Sequence, residues 1–427
     1  MISIDLFRDT PETIEKSQKK RGLETSIVDN VLKVDKKWRK TLQKLEKLRQ
    51  KRNEANRKIA EAKKKGKTGK KEIKEMRKIA DTIEKLEEKA NKFLEERDNL
   101  RKSIPNLLDN DVPKGKDESD NVELRRWGKI PKFKFEPKGH ADLVEEFGLV
   151  NTEKASSVSG SRFYYLKDEL VLLNLALQKF ALDILSEKGF VMVQTPYMLN
   201  RGALDGSVSL TDFEESIYKI EDENLYLIGT SEHALAAMYK DDLINVDKPL
   251  KYVGLSSCFR KEAGSHGKDT KGIFRVHRFE KIEQFVFCNS KDEEKIFNEL
   301  IQNQEEIFKK LKLPYRIVVL CSGDTGGSMA KTYDLEGWFP AQNKYRELGS
   351  TSTAKTYQAI KQNIKFLNEK NEKEYVYTLN GTAMSVQRTI CCILENYQNK
   401  KGEIEIPKAL RPYMNNIKKI KPIKNEK

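Results

Sequence analysis

Residues 259–285 read FRKEAGSHGKDTKGIFRVHRFEKIEQF. Two apolar-rich segments flank a loop of Gly, Asp, Thr and Lys, which predicts a strand–loop–strand element. Arg260 and Glu262 stand two apart, so an extended backbone would aim both at one face. Arg275 and Glu283 follow. One reading is a solvated hairpin with cross-strand charge pairs. The other is a site that grips a nucleotide together with a zwitterionic amino acid. A guanidinium forks onto phosphate, and carboxylates accept from an exocyclic amine or a substrate ammonium.

Outward from this stretch, strand patterns recur in neighbouring runs. They are FVMVQTPYML (190–199), NLYLIGTS (224–231), YVGLSSCF (252–259), GIFRVHRF (272–279), EQFVFC (283–288) and YRIVVLC (315–321). They do not alternate with helices as βαβ units do. A mainly antiparallel sheet with helices on its faces is expected, an α+β arrangement. A buried helix is expected from Leu170 to Leu185. There is no GxGxxG after a strand and no GxxxxGK[ST], so neither a Rossmann nor a P-loop nucleotide site is indicated.

Two further stretches carry polar groups in apolar settings. Gly229-Thr230-Ser231-Glu232-His233 lies at a strand–helix junction. Its hydroxyls and carboxylate suit a small polar substrate, and helix capping by Thr230 or Ser231 is the plainer reading. Residues 378–398, TLNGTAMSVQRTICCILENYQ, read as a Gly-containing bend entering an apolar helix. Arg388 near the start of that helix needs an anionic partner, and a triphosphate would supply one.

The N-terminal third has a different grammar. Residues 27 to 104 are almost free of Gly and Pro, with one break at KKKGKTGKK (63–71). Apolar or small residues recur at Val31, Val34, Trp38, Leu42, Leu45, Leu48, Ala55, Ile59 and Ala62. They recur again at Ile73, Met76, Ala80, Ile83, Leu86, Ala90 and Leu94, continuing through Arg97 and Leu100 to Ile104. Spacing of three and four is a coiled-coil seam. Two helices joined by a short turn fold back antiparallel, here over roughly 50 Å at about 1.5 Å per residue. Pro105 ends the run.

Charge follows the same division. The chain has 427 residues and a formal net charge of +15. Residues 31–75 hold 19 Lys and Arg against 6 Asp and Glu, so the rest is close to neutral. A localised positive stripe suits a polyanion, because counterion release drives such binding. On a projecting arm it suits contact with an RNA backbone; a solvated helix face is the plainer alternative. No run of about 18 apolar residues is present, so no membrane span is expected. The N-terminus lacks the apolar core of a secretory signal. The five cysteines form no CxxC pair, which argues against a zinc knuckle and for a reducing, cytoplasmic setting.

Taken together, these stretches resemble the three motifs of class II aminoacyl-tRNA synthetases, and most closely the seryl-tRNA synthetase family. Motif 1 is similar to the 170–185 helix running into FVMVQTPYM, with Pro196 as its proline. Motif 2 is the 259–285 stretch, and motif 3 the NGT…R segment ending in LENYQ. The likeness extends over the arm, SGSRFYYL (159–166), the Thr-Ser-Glu triplet, and AKTYDLEGWFP (330–340) with YREL (345–348). The wording GSHGKDTKGIFRVH leans to the archaeal and eukaryotic branch.

The resemblance implies an α+β enzyme: an N-terminal antiparallel coiled-coil hairpin, then an antiparallel-sheet catalytic domain flanked by helices. Its domains would be a tRNA-binding region at 1–105, a connector at 106–160 and a catalytic domain at 161–427. It implies a serine–tRNA ligase that activates L-serine with ATP and Mg²⁺. The seryl group would pass to tRNA(Ser) held by the basic arm; tRNA(Sec) is left open. A homodimer through motif 1 is also implied. Thr230, Ser231, Glu232, Glu283 and Thr382 would line the serine pocket, with Glu283 on the ammonium. Arg260 would grip the α-phosphate and also touch serine, with Lys261 beside the nucleotide. Glu262 would meet the adenine amine and Phe274 would stack on the base beside Val276. Glu347, Leu348, Gly349 and Ser350 would border ATP, with Glu347 and Ser350 on the metal. Arg388 would hold the γ-phosphate. His233, His266 and His277 need no acid–base role, since positioning and charge stabilisation carry such a reaction.

One segment departs from the family's pattern. Residues 349–361 read GSTSTAKTYQAIK, with Thr353, Thr356, Ile360 and Lys361 where Asn, Asp and an Arg pair are usual. Met384 and Gln387 are bulkier than usual in motif 3. An altered pocket floor is the expectation there. Two competing readings follow: an enzyme charging a carrier protein, which would not need the basic arm, and a non-catalytic RNA-binding paralogue, for which the retained Arg260, Glu262, Glu283, Glu347 and Arg388 would be unnecessary.

Overall fold

A computed structural model describes residues 1–64, 70–208, 216–262 and 271–422. The chain divides into two compact units, residues 2–104 and, with Met1, residues 105–427.

In the first unit two short helices, α1 (Ile4–Asp9) and α2 (Pro11–Lys20), precede two long ones, α3 (Ser26–Lys64) and α4 (Lys70–Lys102). The long pair packs side by side. The seam on α3 runs through Val31, Val34, Trp38, Thr41, Leu45, Leu48, Arg52, Ala55 and Ile59, each buried or half-buried. The strict alternation of three and four selects Thr41 for the seam and leaves Leu42 half-buried on its flank. On α4 the same rule selects Ile79, and Ala80 is exposed. Residues 65–69 of the predicted turn and the side chains of Ala62 and Ile73 lie outside the described residues. A buried charge locks the base. Asp35, fully buried, accepts from Arg8 at 2.8 and 3.0 Å and pairs with Arg39 at 2.9 Å and Arg97 at 3.2 Å. Arg97 also lies 4.7 Å from the Trp38 ring centre. A buried carboxylate demands such partners.

The second unit is built on an eight-stranded sheet. Its strands are β1 (Val122–Trp127), β2 (Val191–Gln194), β3 (Leu250–Phe259), β4 (Arg278–Cys288), β5 (Tyr315–Val319), β6 (Lys331–Phe339), β7 (Lys344–Lys355) and β8 (Tyr377–Ser385). The spatial order is β1-β5-β6-β7-β8-β4-β3-β2. Every pair is antiparallel except β2 with β3, which is parallel. Strand β4 is buried on both faces from Glu280 to Cys288, as the centre of a covered sheet requires. The segment 106–160 folds into this unit and supplies the edge strand β1.

Helices cover the sheet. On α5 (Asp168–Glu187) Leu170, Leu173, Leu177, Phe180, Ile184 and Leu185 are buried at helical spacing. On α6 (Glu293–Leu311) Ile296, Phe297, Leu300, Ile307, Phe308 and Leu311 are. The helix α7 (Val386–Asn396) follows β8 directly.

Several local expectations need correction. Strand β3 stops at Phe259, so Arg260 and Glu262 lie in the loop, and Glu262 has φ of 51°. GIFRVHRF is not a strand over its length, because β4 begins only at Arg278. Loop partners take its backbone instead: His277 N–H donates to Arg162 O, and Arg260 N–H to His277 O. FVMVQTPYML splits into Val191–Gln194 and Met198–Asn200 around Pro196, which has no N–H to give a ladder. In NLYLIGTS only Leu225–Leu227 is strand. The bend read at 378–385 is the strand β8. It carries Gly381 where a Cβ would lie 2.9 Å from Thr351 Oγ1.

Candidate active site

One cavity of about 290 Å³ opens on the face of β4, β6, β7 and β8. Among its lining residues are Glu232, Arg260, Glu262, Phe274, Val276, Glu347, Leu348, Gly349, Ser350, Thr382 and Arg388. Two bulges decide which side chains reach it. On β7 Leu335 pairs Gly349 and Glu336 pairs Glu347, so Leu348 is an extra residue. The insertion returns Glu347 to the face of Ser350 and Ser352, and Leu348 turns into the core. On β8 Thr382 pairs Glu283 and Met384 pairs Ile282, leaving Ala383 extra. Asn380, Thr382 and Ser385 then share the cavity, while Met384 is fully buried in the core.

Two carboxylates lie together at its base: Glu232, which lines it, and Glu283, which is fully buried and reaches it only through its partners. Asn380 Nδ2 donates to Glu232 Oε2 at 3.0 Å and to Glu283 Oε1 at 3.1 Å. Thr382 Oγ1 donates to Glu283 at 3.2 Å, and Gln358 Nε2 to Glu232 at 2.9 Å. Gln358 in turn accepts from Thr378 at 2.6 Å. Burial and the neighbouring Glu283 push Glu232 up to about 7. Lys281, two residues before Glu283 and on the same face, pairs with Glu283 at 2.6 Å. Thr230 caps the helix Ser231–Ala236, accepting from Glu232 N–H at 3.2 Å. It lines an adjoining cavity of about 250 Å³ that shares Glu232, Arg260 and Met329. Ser231 reaches neither cavity; its hydroxyl lies against Gly254 O at 3.5 Å, and a Cβ at Gly254 would strike it.

Cations and an aromatic ring line the rest of the cavity. Arg260 Nε donates to Gly229 O at 3.0 Å. Arg275 pairs with Glu262 at 3.0 Å. Arg388 lies 5.2 Å from the Phe274 ring centre and pairs with Glu347 at 3.0 Å. That guanidinium holds Glu347 below the usual carboxylate range. Behind Phe274, Arg346 stacks at 3.7 Å from the ring centre. Lys261 is exposed and does not line the cavity.

Asp334 faces Ser350 across the β6–β7 ladder. Its Oδ1 is buried with no hydrogen-bond partner, and burial and Glu347 hold Asp334 well above the ordinary carboxylate range. Asp334, Glu347 and Ser350 thus offer two carboxylates and a hydroxyl. That is too few for an all-protein cage, but it fits a hard divalent ion taking its other ligands from phosphates.

Neither His233 nor His277 lines the main cavity. Burial pushes His233 down to about 3, and its Nδ1 accepts from Gly229 N–H at 3.3 Å. His277 Nδ1 lies 2.8 Å from Arg260 O. His266 lies outside the described residues. The unusual segment turns mostly away from the cavity. Thr353 Oγ1 donates to Glu293 at 2.7 Å, on the α6 side. Lys361 Nζ donates to Val208 O at 3.1 Å, and Ile360 is buried. Gln387 does line the cavity, and its side chain accepts from Glu280 N–H at 2.9 Å.

Sequence reasoning missed Lys281, Asp334 and Asn380. The period-two rule that linked Arg260 to Glu262 would have linked Lys281 to Glu283, had it been applied to β4.

Residues 1–108 match the seryl-tRNA synthetase N-terminal domain, and residues 218–397 the tRNA synthetase class II core domain (G, H, P, S and T). The serine–tRNA ligase of Nitrosopumilus maritimus is 47% identical over 340 residues, covering 79% of this chain and 81% of that one. The crystal structure of seryl-tRNA synthetase from Pyrococcus horikoshii complexed with ATP is 44% identical. It superposes with a TM-score of 0.93 over 99% of this chain and 100% of its own. Cytoplasmic serine–tRNA ligase from Naegleria fowleri in complex with AMP is 36% identical, with a TM-score of 0.87 over 99% of each chain. Full-length identity at this level, carried by both domains, means that the chain belongs to the seryl-tRNA synthetase family of class II aminoacyl-tRNA synthetases.

Proposed function

We propose that this cavity joins L-serine to ATP as seryl-adenylate and then hands the seryl group to the 3′ end of tRNA(Ser). The observation that supports it best is convergence: Glu232, Arg260, Phe274, Glu347, Thr382 and Arg388, from distant parts of the chain, line one cavity. In the first step a serine carboxylate oxygen attacks the α-phosphorus. The new O–P bond forms as the α–β bridging bond breaks and pyrophosphate leaves. In the second, the terminal tRNA hydroxyl attacks the adenylate carbonyl and AMP leaves. No protein nucleophile is needed, so the side chains position groups and stabilise charge.

In this reading Glu283 takes the serine ammonium, with Glu232, Thr382 and Thr230 around it. Arg260 bridges the serine carboxylate and the α-phosphate. Phe274 stacks on adenine beside Val276, Glu262 accepts from its amine, and Arg388 holds the γ-phosphate. Glu347 and Ser350, with Asp334 beside them, would hold Mg²⁺, which supplies charge neutralisation to the triphosphate when bound.

The remaining assignments rest on separate features. Residues 1–105 form the tRNA-binding domain and residues 161–427 the catalytic domain, with 106–160 as a connector that adds β1 to the catalytic sheet. Exposed lysines along α3 suit the tRNA backbone, and they disfavour a carrier protein as the acceptor. Exposed Val171 and Leu175 on α5, with Val191 and Met192 on the edge strand β2, suit a homodimer through motif 1. Five free, buried cysteines suit the reducing cytoplasm. Among the described residues no helix is long and apolar enough to cross a membrane.

Serine-dependent ATP–pyrophosphate exchange, with alanine, threonine and cysteine for comparison, tests the reading. Exchange with serine far above the others is expected. No exchange with any amino acid from a folded protein that still binds tRNA would favour the non-catalytic paralogue.

A further inference from the structure

The cavity's lysine and two of its arginines are already committed. Arg388 pairs with Glu347, Arg275 with Glu262, and Lys281 with Glu283. In each pair the carboxylate is one that the reading above gives to a metal ion, an amine or an ammonium. The third pair is the most enclosed: the Lys281 side chain is 11% exposed and that of Glu283 is 0%. The Lys281 ammonium also reaches Thr230 Oγ1 at 3.3 Å. Thr230 and Glu283 are thus occupied by an internal group of the same chemistry as the serine amine.

There is a physical reason for this. A buried carboxylate without a cation is strongly unfavourable. Glu283 also shares Asn380 with a second buried carboxylate, Glu232. Without Lys281, Glu283 would keep only the neutral donors Asn380 and Thr382, and Arg260 would be the one cation left acting on Glu232. Lys281 supplies the counter-charge, and exchange of one ammonium for another leaves the charge at Glu283 unchanged.

We propose that Lys281 is a resident ammonium, which occupies the serine-ammonium position in the serine-free enzyme and turns to the substrate's negative groups when serine enters. The proposal rests on the assignment of Glu283 to the serine ammonium. It has a consequence that ordinary carboxylate binding by a lysine lacks. An acid that keeps the hydroxyl and carboxylate of serine but has no amine still finds Glu283 paired.

The probe is 3-hydroxypropanoate, tested as an inhibitor of serine-dependent exchange. The wild-type enzyme should be inhibited competitively with serine. In Lys281→Met the ratio of the inhibition constant to the serine KM should rise tenfold or more. The probe then leaves Glu283 bare, whereas serine brings its own ammonium. Lys281→Arg keeps the charge and should hold the wild-type ratio. Lys281→Gln serves if the Met variant does not fold, as judged by thermal unfolding. Equal weakening of serine and probe would overturn the proposal, since Lys281 would then bind the shared carboxylate. An unchanged ratio, or no inhibition of the wild type, would also overturn it. Loss of the whole reading looks different: the wild type would then show no serine-dependent exchange.

Discussion

The helical hairpin and the sheet cavity treat buried charge in opposite ways. In the hairpin, Asp35 is fully buried with three guanidiniums on it, a closed set with no substrate to meet. At the cavity, three carboxylates each pair with a single cation beside open space. The hairpin's arrangement fixes structure. The cavity's arrangement is ready to exchange partners, so substitutions there should alter catalysis more than folding.

The largest effect expected from a single substitution is at Arg388. Arg388→Ala should lower kcat/KM for pyrophosphate exchange by about a hundredfold to a thousandfold, the usual loss when one charge-stabilising donor is removed. Steady-state exchange kinetics would measure it. Unchanged exchange would mean that the Arg388–Glu347 pair is as purely structural as the Asp35 cluster. The smallest effect is expected at Thr353, where the sequence departs from its family. Thr353→Asn should leave the serine KM within about twofold, because Thr353 meets Glu293 on the α6 face, away from the cavity. A tenfold change in serine KM would break the assignment of faces on β7.

The two regions also differ in how much their sequences disclose. A helix reports burial locally, every third or fourth residue. The hairpin and its seam were therefore legible, and the slips at Ala80 and Leu42 were of one residue. Strands report burial by alternation, and alternation fails where the site is built. Leu348 and Ala383 are bulge residues that reset parity on β7 and β8. Nothing in ELGSTST or NGTAMS marks them. Lys281 shares a face with Glu283 by the period-two rule, but the run is buried on both faces, so alternation does not tell which face meets the cavity. Strands β6 and β7 were absent from the candidate strands because their cavity-facing Thr, Asp and Ser interrupt the apolar pattern. The motif residues were legible as a set through their family resemblance. Their faces and pairings were set by long-range register, which the sequence does not print.

The central claim is a division of labour, in which the cavity activates serine and the basic hairpin brings the tRNA. Lys36, Lys40, Lys44, Lys47 and Lys51 form an exposed row on α3 at helical spacing. The decisive measurement replaces all five by serine in the full-length chain and compares pyrophosphate exchange with seryl transfer to tRNA(Ser) across a salt series. The account predicts exchange within about twofold of wild type. It also predicts transfer weakened by roughly a hundredfold or more, with a salt dependence shallower by up to about one unit of slope per lysine removed. Transfer unchanged, or both steps reduced together, would contradict it.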